Sequence, residues 1–341
     1  MGNVLDTSTP SAYAQRISEA LQRQVIAQQE ATDAVVESLE LRKARLTPDR
    51  PTSMLLMGPT GVGKTHFVES LAKVLHGDDQ LRMLKIDCAE YGAAHEVAKL
   101  IGSPPGYLGH SRGPNAAVEG TPAVFSQGNI EQCRSAQSDI AIILFDEIEK
   151  ADDALHRLML GIMDRGTVTL GTNETVYFRN TLLLMTSNLG VKEMHQQEAP
   201  GMGFGTTAKT MSAEQRRRCS VEAARRKFSP EFFNRIDQTV MFAPLSEEAL
   251  LAILDLGIAD LSERSGITVL VAATARRALV YDDYDPRYGA RHLQRAIAQR
   301  LQKPLARLIL QGYTEPIVYV DSDFDFVSQS SEEPQTTTAV A

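Results

Sequence analysis

Cysteine is scarce in this chain. Only Cys88, Cys133 and Cys219 occur among 341 residues, far apart and without a Cys-x-x-Cys pair. Neither a zinc module nor a disulfide framework is expected. Long apolar runs are missing too. The longest, such as 141–145 and 182–185, have the length of a core strand, far short of the roughly 20 residues a membrane helix needs. Positive charge is not in excess: 35 Lys and Arg face 43 Asp and Glu, a formal net charge of −8. That argues against broad, non-specific binding to nucleic acid or an anionic membrane. The first residues, Met-Gly-Asn-Val-Leu-Asp, carry no basic stretch leading into an apolar one. No signal peptide is expected, and a cytoplasmic location is.

What is present fits a soluble globular chain: 43% hydrophobic and 23% charged residues. The length predicts two domains, or one large and one small. Residues 1–10 read as a loose leader. From 11 to 46 apolar positions recur at helical spacing: Ile17, Leu21, Val25, Ala34, Val35, Leu39 and Leu41. Thr47-Pro-Asp-Arg-Pro51 breaks the helix. Strands are then expected at 54–57, 83–87, 140–145, 181–186 and 238–242, with a helix at 65–75. Strands alternating with helices imply an α/β fold with a five-stranded parallel sheet flanked by helices, filling 11–244. After Pro244 a helix at 247–264, a strand at 267–271, a long helix at 289–310 and a strand at 317–320 predict a small, mostly helical domain over 245–320. Residues 321–341, acidic and then polar and Thr-rich, read as a disordered tail.

Two motifs carry chemistry. The first is Gly58-Pro59-Thr60-Gly61-Val62-Gly63-Lys64-Thr65, placed between an apolar strand and a helix. Its glycines let backbone N–H groups turn toward phosphate oxygens, and the helix start adds partial positive charge. Lys64 would reach the β- and γ-phosphates, and the Thr65 hydroxyl would hold Mg²⁺. The second is Asp146-Glu147 at the C-terminal end of the strand ending at Phe145, where open α/β sheets bind ligands. Asp146 suits Mg²⁺. Glu147 is placed to activate the water that attacks the γ-phosphate. The plain alternative for the pair is a solvated helix cap. Ile148-Glu-Lys-Ala-Asp152, just beyond, is not expected to be catalytic.

Together these motifs resemble a single AAA+ module of the Clp unfoldase and disaggregase family, most of all the second ATPase ring of its two-ring members. The likeness runs from about residue 21 to 320. It implies an AAA+ P-loop NTPase fold with a small lid domain, ATP and Mg²⁺ as cofactors, and a ring, a hexamer in the family pattern. Arg23-Gln-Val25-Ile26-Ala27-Gln28 resembles the family's adenine-pocket segment, with Ala27 where glycine is usual. Val25 and Ile26 would contact the base; core packing is the alternative. Asn188 resembles the first sensor, against a turn-forming Asn before Gly190. Arg235 resembles the arginine finger that reaches the neighbouring subunit's ATP, against a surface salt bridge to Asp237. Arg291, in Tyr288-Gly-Ala-Arg291-His-Leu, resembles the second sensor, against a solvated helix start.

The same resemblance implies a polypeptide as the object of the work. Gly106-Tyr107-Leu108-Gly109 resembles the pore loop, where Tyr107 would grip a threaded chain. Residues 165–174 read as a hairpin and resemble the secondary pore loop, with few of its charges. Residues 110–126 follow the family pattern poorly. Met202-Gly203-Phe204 resembles the tripeptide by which some members dock on a caseinolytic-type peptidase; a locally packed Phe204 is the alternative. A degradation unfoldase and a stand-alone remodelling chaperone both stay open. A DNA-directed motor would need a basic face, for which Arg216-Arg-Arg218 with Arg225-Arg-Lys227 is the candidate. No stretch matches the N-terminal adaptor domain, first ring or zinc module of larger relatives, so substrate choice is expected to fall on the pore, short flanks or an adaptor.

Overall fold

The computed structural model describes residues 9–77, 81–102, 123–191, 193–194, 211–282 and 289–328. It divides into two compact units, Met1–Pro244 and Leu245–Ala341.

The first unit opens with α1 (Ala12–Gln22) and α2 (Gln29–Lys43). Ser11 caps α1, its hydroxyl accepting from Ala14 N at 3.1 Å. The sequence pattern implied one helical stretch over 11–46. The structure breaks it at 23–28, where Ala27 adopts φ +60°. Helical periodicity cannot register a single left-handed residue, because Val25 and Ala34 continue the apolar spacing across the turn.

A five-stranded sheet follows, built from β1 (Thr52–Met57), β2 (Leu84–Asp87), β3 (Ala141–Asp146), β6 (Thr181–Ser187) and β7 (Gln238–Met241). Its order is β2-β3-β6-β1-β7, and every pairing is parallel. All seven residues of β6 and the first five of β3 are buried. Helices cover both faces of such a sheet, so its strands read as unbroken apolar runs instead of alternating ones. The helices are α3 (Lys64–His76), α4 (Ala94–Ile101), α5 (Gln127–Gln132), α6 (Asp153–Arg165), α7 (Ala213–Lys227) and α8 (Pro230–Asn234). Phe125, Phe145 and Phe178 form edge-to-face pairs on one side, with centroids 6.3 and 5.6 Å apart. Phe67 of α3 meets Phe242 in the same way at 5.6 Å.

The exposed side of β7 is occupied by side chains. Glu30 accepts Met241 N–H at 3.1 Å, and Arg217 donates to the Thr239 carbonyl at 3.2 Å. Glu30 and Arg217 also pair with each other at 2.7 Å. The hairpin read at 165–174 exists, but its strands are β4 (Thr167–Thr169) and β5 (Thr175–Tyr177). The second strand therefore lies just past the expected end, after left-handed Asn173.

The second unit holds α9 (Glu247–Ser265), α10 (Ala273–Tyr281), α11 (Arg291–Ile297) and α12 (Lys303–Leu310). A π turn, Ala298–Gln302, joins the last two into one long helix. Pro304 lacks the N–H that would reach back one turn, and the widened turn absorbs that loss. β8 (Thr268–Val271) and β9 (Ile317–Val320) pair in parallel, and β10 (Phe326–Val327) pairs antiparallel to β9. The tail expected from 321 onward is corrected here. Residues 321–328 fold back, with Phe324 and Phe326 packed on the core of this unit. Five acidic or polar neighbours hid two aromatic anchors. Residues 1–8 and 329–341 lie outside the described residues.

Ala27 is exposed and sits in the left-handed region, which costs an L-residue roughly 1 kcal/mol relative to glycine. Ala27→Gly is expected to raise stability by about that amount. The urea midpoint should rise with an unchanged slope; a lower midpoint would show that the methyl group stabilises the turn.

Candidate active site

The loop between β1 and α3 begins with a forced glycine. Gly58 has φ +149°, and a Cβ there would lie 2.6 Å from the Phe242 carbonyl oxygen. Gly63 ends the loop at φ +97° as the N-cap of α3, with no side chain capping the helix. No side chain caps the first amides of α3, which stand at the positive end of a 13-residue helix, where anions are favoured. Val62 is 5% exposed and pins the loop from beneath.

Register decides what stands beside this loop. Met57 at the end of β1 pairs with Ser187 on β6, and Phe145 on β3 pairs with Met185. Asp146 and Asn188 thus emerge at the same sheet edge as Gly58. Lys64 is 7% exposed, and its ammonium donates to Gly58 O at 2.7 Å, Pro59 O at 2.8 Å and Asn188 Oδ1 at 2.8 Å. Asn188 Nδ2 in turn donates to Glu147 Oε1 at 3.4 Å. One chain of contacts runs from the loop lysine through the β6 amide to the β3 carboxylate.

Asp146 accepts from Thr65 Oγ1 at 3.2 Å to each oxygen and from Thr186 Oγ1 at 2.5 Å. The same Thr186 hydroxyl accepts from Glu147 N at 2.9 Å. That bond helps hold Glu147 at φ +56° and ψ +50°, a strained conformation for a residue with a side chain. Lys150 pairs with Glu147 Oε2. That bond raises the Lys150 pKa, as a partner carboxylate should. Glu149 Oε1 accepts Asn188 N–H at 3.0 Å and fixes the backbone of the amide. Neither Glu149 nor Thr186 was singled out by the sequence; their roles depend on a strand pairing 40 residues away in the chain.

The site is acidic. Burial pushes the Cys88 thiol far above its ordinary range, and Asp87, Asp146, Glu149 and Glu147 push it the same way. A thiol held neutral there is inert. Asp146 and the Thr65 hydroxyl, 3.2 Å apart, are hard oxygen donors of the kind Mg²⁺ takes, and no cluster of three or more acidic, histidine or cysteine side chains able to hold a metal occurs among the described residues.

Val25 and Ile26 are brought to the loop. Val25 is buried and Ile26 half-buried. Gln24 O lies 3.1 Å from His66 Nε2 at the start of α3. Gln28 is 5% exposed; its amide donates to Val62 O at 3.2 Å and Ala243 O at 3.1 Å and accepts from Ala243 N at 3.0 Å. It ties three distant segments together, a role the sequence did not show.

Arg235 lies elsewhere. It caps α8, and Ser53 Oγ donates to its carbonyl at 3.0 Å. Ser53 is near the start of β1, so Arg235 stands at the sheet end opposite Gly58. About five strand residues at ~3.3 Å each separate them. Its half-exposed guanidinium pairs with Asp164 of α6. The expected alternative partner, Asp237, instead takes Arg50 at 2.7 Å and the Ser53 amide at 2.8 Å. Arg291 is exposed at the start of α11 in the second unit. Gly106, Tyr107, Leu108, Gly109, Met202, Gly203 and Phe204 lie outside the described residues. No described helix is long and apolar enough to cross a membrane.

Comparison with known proteins agrees with this architecture. Residues 49–239 match the family described as AAA domain (Cdc48 subfamily). Residues 245–320 match the C-terminal, D2-small domain of ClpB protein. The chaperone protein ClpB of Corynebacterium diphtheriae is 38% identical over 312 residues, 89% of this chain and 32% of that protein. The ATP-binding subunit ClpC of the ATP-dependent Clp protease of Staphylococcus aureus (strain USA300) is 34% identical over 328 residues, 93% of this chain and 38% of that protein. A closed-state cryo-EM reconstruction of Hsp104 with ATPγS and FITC casein superposes with a TM-score of 0.74 at 28% identity, covering 90% of this chain and 50% of that one. The chain thus spans about a third of the length of these curated relatives. With a phosphate-loop sheet of AAA type and the small domain of a second Clp ring joined in one sequence, the chain belongs to the AAA family, in its Clp branch.

Proposed function

We propose that this chain is the ATP-hydrolysing module of a ring that unfolds or remodels proteins. The observation that carries the reading is the line from Lys64 through Asn188 to Glu147, set beside the N-terminus of α3. ATP phosphates are the ligand this charge pattern fits. On binding, Lys64 exchanges neutral carbonyls of its own loop for phosphate oxygens. Asn188 orients the attacking water, and Glu147 takes its proton, a contribution of about 10²–10⁴ in rate. Thr65 and Asp146 are the residues that would hold Mg²⁺, which supplies charge neutralisation at the β- and γ-phosphates. Val25 and Ile26 would flank the base. Arg291 is assigned as the sensing guanidinium on its motif alone.

Arg235 stands at the wrong end of the sheet for the phosphates of its own chain. That supports a finger lent to a neighbouring copy, and with it a ring of the family's hexameric type. Its surface pair with Asp164 is worth under about 1 kcal/mol, so release costs little. Tyr107 and its flanking glycines are proposed to grip a threaded polypeptide. The Hsp104 structure similar to this chain holds casein, and ClpB is named a chaperone while ClpC is named a subunit of a protease. A peptidase docking at Met202-Gly203-Phe204 is the outcome the second likeness points toward. The DNA-directed reading has less support, since three of the six residues of its basic face are engaged within the chain: Arg217 pairs with Glu30, Arg226 with Glu193, and Arg225 lies over the Phe233 ring.

Two measurements test this. Glu147→Gln should bind ATP normally and lose at least about 10² in turnover; Arg235→Ala should lose about 10³ or more. Mixed in one ring, the two variants should recover turnover, because each Arg235→Ala protomer keeps Glu147 and gains Arg235 from a Glu147→Gln neighbour. Folded mixtures that stay silent would remove the trans assignment. For the object, Tyr107→Ala should keep ATP turnover and lose ATP-dependent unfolding of a tagged protein. Unfolding at the unmodified rate would end the pore reading.

A further inference from the structure

Helix α6 touches the acidic turn at one end and the Arg235 segment at the other. His156, near its start, is 7% exposed. A buried imidazole needs a partner for its N–H. Nε2 lies 3.2 Å from the carbonyl of Ile148, so that nitrogen carries the proton and donates. Ile148 directly follows the strained Glu147. Nδ1 faces the water-exposed carboxylate of Asp153 at 3.5 Å.

The ring packs against two phenylalanines that also touch each other. Phe228 meets it edge-on, at 5.4 Å and 89°. Phe232 lies at 4.9 Å and 48°, and the two phenyl rings are 5.3 Å apart. Phe228 ends α7, and Phe232 belongs to α8. The Arg235 N–H donates to the Phe232 carbonyl at 3.1 Å. At the far end of α6, Asp164 takes the Arg235 guanidinium. Eight residues, about 12 Å of helix, separate His156 from Asp164. Arg235 is therefore referred to α6 twice, through its own charge and through Phe232 against His156.

We propose that His156 is a positioning residue that joins the Glu147 turn to the segment bearing Arg235. It makes the state of one protomer's acid felt at the guanidinium that protomer lends to its neighbour. This rests on the trans reading of Arg235. The physical path is short. A shift of the Glu147 turn moves the Ile148 carbonyl, and the hydrogen bond passes that shift to the imidazole. The imidazole packs against Phe228 and Phe232 in a close-packed core, so its displacement is passed to the ends of α7 and α8. The half-exposed pair with Asp164 resists only weakly. Residues that link two sites in this way alter their coupling by several-fold to about tenfold.

The test uses the full chain and steady-state ATP turnover. His156→Phe keeps an aromatic ring against Phe228 and Phe232 and removes the bond to Ile148. It should lower kcat about tenfold, leave KM for ATP within about twofold, and leave the urea midpoint unchanged. Combined with Arg235→Ala, it should add no further loss, because it acts through Arg235. A double variant whose loss equals the product of the two single losses would overturn the proposal, as would an unchanged kcat in His156→Phe. If His156→Phe does not fold, His156→Gln carries the same predictions, since it keeps an N–H near Ile148 and cuts the ring contact. Failure of the finger reading shows separately, as unmodified turnover in Arg235→Ala alone.

Discussion

Hydrogen bonds run in one parallel register from β3 through β6 to β1, and the site exists because of that register. A slip of one residue would send Asp146 to the face now held by Phe145 and pull it from Thr186. The register is fixed by apolar matching along the buried run, with Leu144, Leu184 and Met54 side by side and Phe145, Met185 and Leu55 next to them. The polar residues emerge only where that run ends. Burial thus aligns the chemistry without taking part in it.

Around that edge the polar groups restrain one another. Thr186 uses its single hydroxyl in both directions, toward Asp146 and from Glu147. Asn188 is held at its backbone by Glu149 and at its amide by Lys64 and Glu147. A left-handed glutamate persists only when its surroundings over-determine it, and here strand register, threonine and helix α6 do so together. The turn carrying the acid is therefore strained and held by several partners at once.

Much of the sheet was legible because its signal is local. Buried strands in a parallel sheet are continuous apolar runs, and the phosphate loop is defined by spacing within eight residues. Lys64, Thr65, Asp146, Glu147 and Asn188, named from sequence, stand together in the structure. Gln28, Thr186 and His156 were not legible, since each acquires its role from a partner brought near only by folding. The break at Ala27 escaped because periodicity persists through it. The ordered stretch 321–328 escaped because composition averages over Phe324 and Phe326. Arg235 was legible as a residue, but its place at the opposite end of the sheet follows only from the pairing of β7 with β1.

The side chains lining β7 have a consequence for how copies of the chain can meet. An edge strand with open amides and carbonyls invites another strand to extend the sheet. Here Glu30 already holds the Met241 amide, and Arg217 holds the Thr239 carbonyl. Growth by backbone pairing is closed on that side, and association there must proceed between side-chain surfaces. Such contacts can be made and released as the two faces move, whereas a shared sheet would lock neighbours into a single body.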